Sequence, residues 1–274
     1  MNAPDAPSAH PSHPSPRPGS DIAIALADHV AVVEIRRPPN NFFDYELIRD
    51  LADLYEELDA DPDCRAIVLC SKGRHFCAGA DFSAREKWSR ERMDEQAAKV
   101  YVEAVRVFSA TRPVIAAVQG AAVGGGLGLA LSADFRIACE RSRFVANFAQ
   151  LGIHQGFGTS VTLPRLVGHS MAARMLYTGA RIKGEEALRI GLADAFVESC
   201  EVRSKALELA KEIASAAPLA VASIRTTLRQ GLADAVRKAT DRELAEQSRL
   251  RRTEDHLEGV RAMAERRPGD FKGR

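Results

Sequence analysis

Hydrophobic and polar positions change their spacing several times along this chain, and each change marks an element. His29 to Ile35, HVAVVEI, is rich in β-branched residues and reads as a strand, which RPPNN ends because Pro38 and Pro39 cannot donate ladder bonds. Asp44 stands where a helix cap belongs, and Leu47, Leu51, Leu54 and Leu58 recur at helical spacing. An amphipathic helix therefore runs through ELIRDLADLYEEL to the turn at Asp61–Asp63. RAIVLC is a short apolar run, read as a buried strand, with SKGRHFCAGAD after it. Residues 85–109 are mixed and charged, compatible with a helix. PVIAAV, Pro113 to Val118, is another buried strand, followed by a glycine-rich turn, the helix GLGLALSA and the strand FRIAC. This alternation predicts an α/β fold with loops gathered at the strand ends. Beyond residue 200 helices take over, with one apolar stripe at Val202, Ala206, Leu209 and Ile213 and another at Val221, Ile224, Leu228 and Leu232. Such stripes pack either on a sister subunit or on the chain's own body.

Composition narrows this picture. The 274 residues suit one large domain or a domain with an appended subdomain. The expected division is a disordered tail over 1–20, an α/β core over 21–200 and a helical C-terminal subdomain over 201–274. The tail, MNAPDAPSAHPSHPSPRPGS, lacks the apolar centre of a signal peptide, and its His10 and His13 read as solvated. With 38 Lys plus Arg against 37 Asp plus Glu, no global field argues for nucleic acid or an anionic membrane. No apolar run approaches the roughly 20 residues of a membrane span. Cys64, Cys70, Cys77, Cys139 and Cys200 lack CxxC spacing and read as reduced thiols of a cytoplasmic protein, without disulfides. The scattered histidines and cysteines never fall at metal-ligand spacing.

The chemistry concentrates in two glycine-rich turns that follow buried strands: CAGAD, Cys77–Asp81, and VQGAAVGGGLG, Val118–Gly128. The second opens a helix, whose first N–H groups lack partners and lie at the positive end of the dipole, so developing negative charge is stabilised there. Alone, a glycine triplet favours a packing surface or a nucleotide phosphate loop over an anion hole. The dinucleotide reading fits poorly, because GGGLG lacks the GxGxxG order and the P-loop Lys-Ser/Thr is missing.

HFCAGAD, RPVIAAVQGAAVGGGLGLALSADFRIA, LG…GFG…LPRLVG and YTGARIKGEEALRIGLADAFV resemble, in order and spacing, successive blocks of the enoyl-CoA hydratase/isomerase (crotonase) superfamily, from about Ile22 to Phe271. The resemblance implies a spiral of ββα repeats with a C-terminal helical trimerisation region. It implies an enzyme acting on acyl-CoA thioesters, a lyase or isomerase of fatty acid metabolism, assembled as a homotrimer or a dimer of trimers (hexamer). A thioester carbonyl would lie between two backbone N–H groups, at Ala80 and at Gly125, the middle glycine of the triplet. Coenzyme A would enter as part of the substrate, with no separate cofactor. Its expected contacts are Arg74, where relatives often carry lysine, Ala78 and Asp81 of the same loop, and Phe271, which resembles the C-terminal aromatic that relatives lay against adenine. Lys72, Arg85 and Lys87 surround the loop.

The sequence also departs from that family. Its hydratases use two glutamates; the first slot holds Gly128 and the second Phe148, and the slot where some isomerase relatives place a carboxylate is Gly156. Hydration needs one group to activate water and another to protonate carbon, and neither glycine nor phenylalanine does either. His154 and Gln155, on the loop between the empty slots, are the candidate substitutes: an imidazole can move a proton at neutral pH, though it can equally bond a backbone carbonyl beneath the loop. Phe148 would close the acyl pocket as an apolar wall. Asp134 reads as a turn residue, and Glu91, Asp94, Glu95 and Glu103 as a helix face open to either solvent or pocket. The leading expectation is an acyl-CoA enzyme that steadies an enolate or oxyanion without standard hydratase chemistry. A non-catalytic acyl-CoA-binding or assembly subunit is the alternative, and a nucleotide-binding α/β protein a third.

Overall fold

The computed structural model describes residues 14–81 and 88–274. In chain order its elements are β1 (Ser15–Pro16), β2 (Ile22–Ala27), β3 (Val30–Ile35), α1 (Tyr45–Ala60), β4 (Ala66–Ser71), α2 (Arg90–Ser109), β5 (Val114–Val118), β6 (Ala121–Val123), α3 (Gly125–Ser132), β7 (Phe135–Cys139) and β8 (Arg143–Val145). A 3₁₀ turn (Ala149–Leu151) leads to α4 (Thr159–Thr178), β9 (Arg181–Lys183), α5 (Gly184–Arg189), β10 (Ala195–Val197), α6 (Val202–Ser215), α7 (Pro218–Leu228), α8 (Leu232–Leu250) and α9 (Glu254–Glu265).

The main sheet runs β1-β2-β3-β4-β5-β7-β10, antiparallel from β1 to β3 and parallel from β3 onward. Both faces are covered, which is why the central strands read as unbroken apolar runs. Ala31, Val33, Ile67, Leu69, Val114 and Ala116 face the cluster built with α1, α2 and α3. Their neighbours Val30, Val32, Val68, Ile115 and Ile137 face α6, whose Val202, Ala206, Ala210 and Ala214 are buried against them. The first C-terminal stripe thus packs on the chain's own body. The second is split: Leu232 is buried in the core, while Ile224 and Leu228 of α7 are 59 and 81% exposed, as is Leu219 beside them at 85%.

Asp44 caps α1 by accepting the Leu47 N–H, as its position implied. The segment expected as a tail is held in place from Pro14: Ser15 and Pro16 pair with β2, Arg17 makes a double hydrogen bond to Glu57, and Pro14 O accepts from Arg36. His10, His13, Arg85 and Lys87 lie outside the described residues. All five cysteines are free, four of them buried. No helix among the described residues is long and apolar enough to cross a membrane.

Asp134 has a structural place, as its position at the end of α3 suggested. Its carboxylate accepts the Val114 N–H and pairs with Arg225 and Arg229, fastening α7 and the α7–α8 link to the sheet.

Candidate active site

A second, three-stranded sheet, β6-β8-β9, brings the two glycine turns together. Cys77 bridges to β6 by donating to Ala121 O and accepting from Val123 N. Two residues on, Gly79 packs against the Val123 carbonyl with φ +88, a left-handed backbone that a side chain would strain. A Cβ there would also come within 4.0 Å of Gly125 N, so the Gly79–Ala80 peptide lies beside the start of α3.

The orientation of the two amides follows from what their peptide planes already bond. Gly79 O accepts the Phe43 N–H at 3.0 Å, and in a trans peptide the following N–H, that of Ala80, points the opposite way. Gly124 O accepts from Gly128 N at 3.1 Å, so it points along α3 and the Gly125 N–H points back out of the helix. Neither amide has a hydrogen-bond partner among the described residues. Gly128 sits one turn further along α3, against Phe157.

A cleft of about 410 Å³ opens beside this point. One wall is Phe42 to Glu46 at the start of α1, with Asp81; the other is Trp88, just before α2, with Arg92, Gln96 and Val100, spaced four apart along one face of α2. Phe43 belongs both to this wall and to the packing around Gly125. Asp94, Glu95 and Glu103 of α2 are engaged away from the cleft: Asp94 bonds Ser248 and Arg251, Glu95 bonds Lys99, and Glu103 bonds Arg106, while Glu91 in the first turn is exposed.

The other candidates are dispersed. Arg74 is exposed on the loop before Cys77, and the Ala78 N–H is taken by Asn40 O. Phe271 lines a separate hollow of about 450 Å³ with Ala149, Ile153 and Arg249. His154 is half-buried, with Nδ1 2.9 Å from Gln155 O. Gln155 donates to Ser160 Oγ. This arrangement favours the backbone-bonding role for His154.

A family model described as enoyl-CoA hydratase/isomerase matches residues 26–274. The chain belongs to the enoyl-CoA hydratase/isomerase family, the crotonase superfamily. It is similar to a short-chain-enoyl-CoA hydratase of Clostridium acetobutylicum, with 35% identity over 93% of this chain and 99% of the relative. It is also similar to a carnitinyl-CoA dehydratase of Proteus mirabilis, with 34% identity over 92% of this chain and 99% of the other. A crystal structure of an enoyl-CoA hydratase/isomerase from Pseudoalteromonas atlantica superposes with a TM-score of 0.83 at 27% identity, covering 92% of this chain and all of that one. The chain accordingly has the crotonase α/β fold and is an enzyme of this family.

The three positions read from the sequence as carboxylate slots each meet or hold an aromatic residue. A Cβ at Gly128 would lie 2.7 Å from Phe157 Cβ and 2.8 Å from Phe157 O. At Gly156 the space is taken by the Tyr101 hydroxyl from α2, with Gln247 Nε2 2.7 Å from such a Cβ. The third slot holds the buried Phe148, whose ring lies against Gly124. Phe157 itself has φ +59 and stacks at 5.5 Å on Phe43. Its loop is held from α8: Glu243, fully buried, accepts from Gly158 N, Ser160 N and Ser160 Oγ, and Gln247 donates to His154 O. Burial pushes the Glu243 carboxyl above its usual value, against the pull of these donors. Sequence reasoning missed Phe157, Phe43, Glu243 and Gln247. The glycines either side of Phe157 were the available signal; the others meet the site only through tertiary packing.

Proposed function

We propose that this protein binds acyl-CoA thioesters and steadies an enolate or oxyanion with the Ala80 and Gly125 amides, without the two-carboxylate machinery of hydration. The observation that carries this reading is the pair of adjacent loops whose peptide planes turn both N–H groups away from their existing bonds. Coenzyme A would be a part of the substrate. Arg74 and Lys72 are exposed on the loop leading to Ala80 and suit its phosphates, while Ala78, Asp81 and Phe271 are candidates for the rest of the molecule. The free buried thiols suit a reducing cytoplasm. The exposed apolar face of α7 suits a homotrimer or a dimer of trimers.

Two experiments test this. In the first, a thioester carbonyl labelled with ¹³C should show a lowered stretching frequency when bound, and Ala80→Pro, which removes one N–H, should abolish most of that shift. The same variant should lose on the order of 10²–10³ in turnover, the usual consequence of deleting one oxyanion donor. An unshifted carbonyl in the unaltered protein would sink the proposal. The second is a panel of acyl-CoAs read by product mass. Hydration of crotonyl-CoA is expected to be absent, and no change with any substrate would favour the acyl-CoA-binding subunit, which the filled carboxylate slots also suit.

A further inference from the structure

We propose that Glu243 and Gln247 of α8 are positioning residues of the thioester site. Gripping the loop on either side of Phe157, they hold its ring against the first turn of α3 and so fix the aim of the Gly125 N–H. The inference rests on the acyl-CoA reading above, because the amide it serves is one of the two that would receive the thioester oxygen.

Glu243 and Gln247 stand four residues apart and therefore share one face of α8. The Gln247 amide donates to His154 O at 3.0 Å, three residues before Phe157, and the Glu243 carboxylate accepts from Gly158 N at 2.9 Å, the residue after it. Ser160 adds its N–H at 3.2 Å and its hydroxyl at 2.6 Å. Glu243 is fully buried, and a carboxylate there loses solvation that hydrogen-bond donors must replace. The N-terminal end of α4 supplies them, with a dipole that favours an anion. Tyr101 of α2 closes the third side, its hydroxyl meeting Gln247 and the Phe157 backbone. The end of α8 is itself tied to α2, since Ser248 and Arg251 both bond Asp94. The loop is thus fastened to a helix that is fixed against the far wall of the cleft.

Phe157 is what this grip holds. Its φ of +59 is uncommon for a bulky residue, and such a backbone persists only where its surroundings over-determine it. Towards the site, its Cβ and carbonyl lie against Gly128, and its Cδ2 is 3.7 Å from where a Gly125 Cβ would stand. The ring also meets Phe43, at 5.5 Å between centroids, and Phe108, at 6.4 Å. Phe43 in turn donates its N–H to Gly79 O, on the peptide that carries the Ala80 N–H. One ring therefore packs on the supports of both amides. A hydrogen bond to an oxyanion depends steeply on the direction of its donor, so a loop that slackens here lowers the stabilisation without emptying the cleft.

The test uses the full chain and acetyl-CoA labelled with ¹³C at its carbonyl, reading affinity by calorimetry and the carbonyl stretching frequency of the bound thioester. Glu243→Gln, which keeps the shape and puts a donor where an acceptor stood, should retain affinity within about threefold yet lose about half or more of the frequency shift. Gln247→Met should act in the same direction from the other end of the loop. Glu34→Gln, at the β3–α6 anchor on the opposite face of the sheet, controls for lost stability alone and should leave the shift intact. Phe157→Ala should weaken the shift as well, and adding Glu243→Gln to it should change nothing further, because both act through one ring. An unchanged shift in Glu243→Gln and Gln247→Met, a loss in them that adds to that of Phe157→Ala, or an equal loss in Glu34→Gln would each overturn this inference and leave the acyl-CoA reading in place. If Glu243→Gln fails to fold, Gln247→Met, alone and combined with Phe157→Ala, decides the matter. An unshifted carbonyl in the unaltered protein would overturn both readings.

Discussion

The carbonyl of Cys77 leaves no room for a side chain at Gly126. A Cβ at Gly126 would lie 2.8 Å from Cys77 C, and that carbonyl is fixed by the bridge to Val123 N. Gly126→Ala would gain about 1 kcal/mol of helix propensity. Overpacking costs about 1–3 kcal/mol and here acts on backbone, so the variant is expected to be less stable, read as a lowered urea midpoint. Phe157 sits at the same scale: its left-handed backbone costs on the order of 1–2 kcal/mol and is offset by the Glu243 bonds to the next residues. The two glycine turns carrying Ala80 and Gly125 were legible because glycine beside a strand end is a local signal, while the choice of those two amides came from the family resemblance. Phe157, Tyr101 and Glu243 were not, because residues 101, 156 and 243 meet only once α2 and α8 pack together.

Elements buried on both sides were the readable ones. β4 and β5 carry apolar runs, β3 and β7 apolar runs broken only by Glu34 and Arg136, and all four fall where their patterns placed them. The three-residue strands β6, β8 and β9 are too short to show a period, and β2, IAIALA, alternates large with small residues instead of apolar with polar. α4 hides its periodicity behind Pro164 and the non-helical Gly168. Two ion-paired anchors hold elements to the sheet. Glu34 of β3 is buried, which alone would raise its carboxyl, but Arg203 of α6 and Arg36 bond it and hold it below the usual 4.5. Such a group stabilises above its unfolded value and loses that contribution as pH falls through the depressed one. The unaltered protein should therefore lose stability more steeply below pH 4.5 than Glu34→Gln, measured by denaturant midpoints across that range. The second anchor is Asp134: Asp134→Ala leaves Arg225 and Arg229 without their carboxylate and is expected to cost about 3–5 kcal/mol in calorimetry or denaturant unfolding.

The exposed apolar outer face of α7 is the feature to test for association between copies of the chain. Leu219 and Leu228 project where none of the described residues covers them, on a helix fixed from behind by Arg225. Light scattering on a sizing column should find an oligomer, and Leu219→Asp with Leu228→Asp should yield single chains that still fold, since both side chains lie outside the core. If α7 is the seam, its burial is a bimolecular contribution to folding, and the thermal midpoint should climb with protein concentration in the unaltered chain and stay flat in the double variant. Dilution would then act on this protein as a gentle denaturant, felt first at the helix that Asp134 moors.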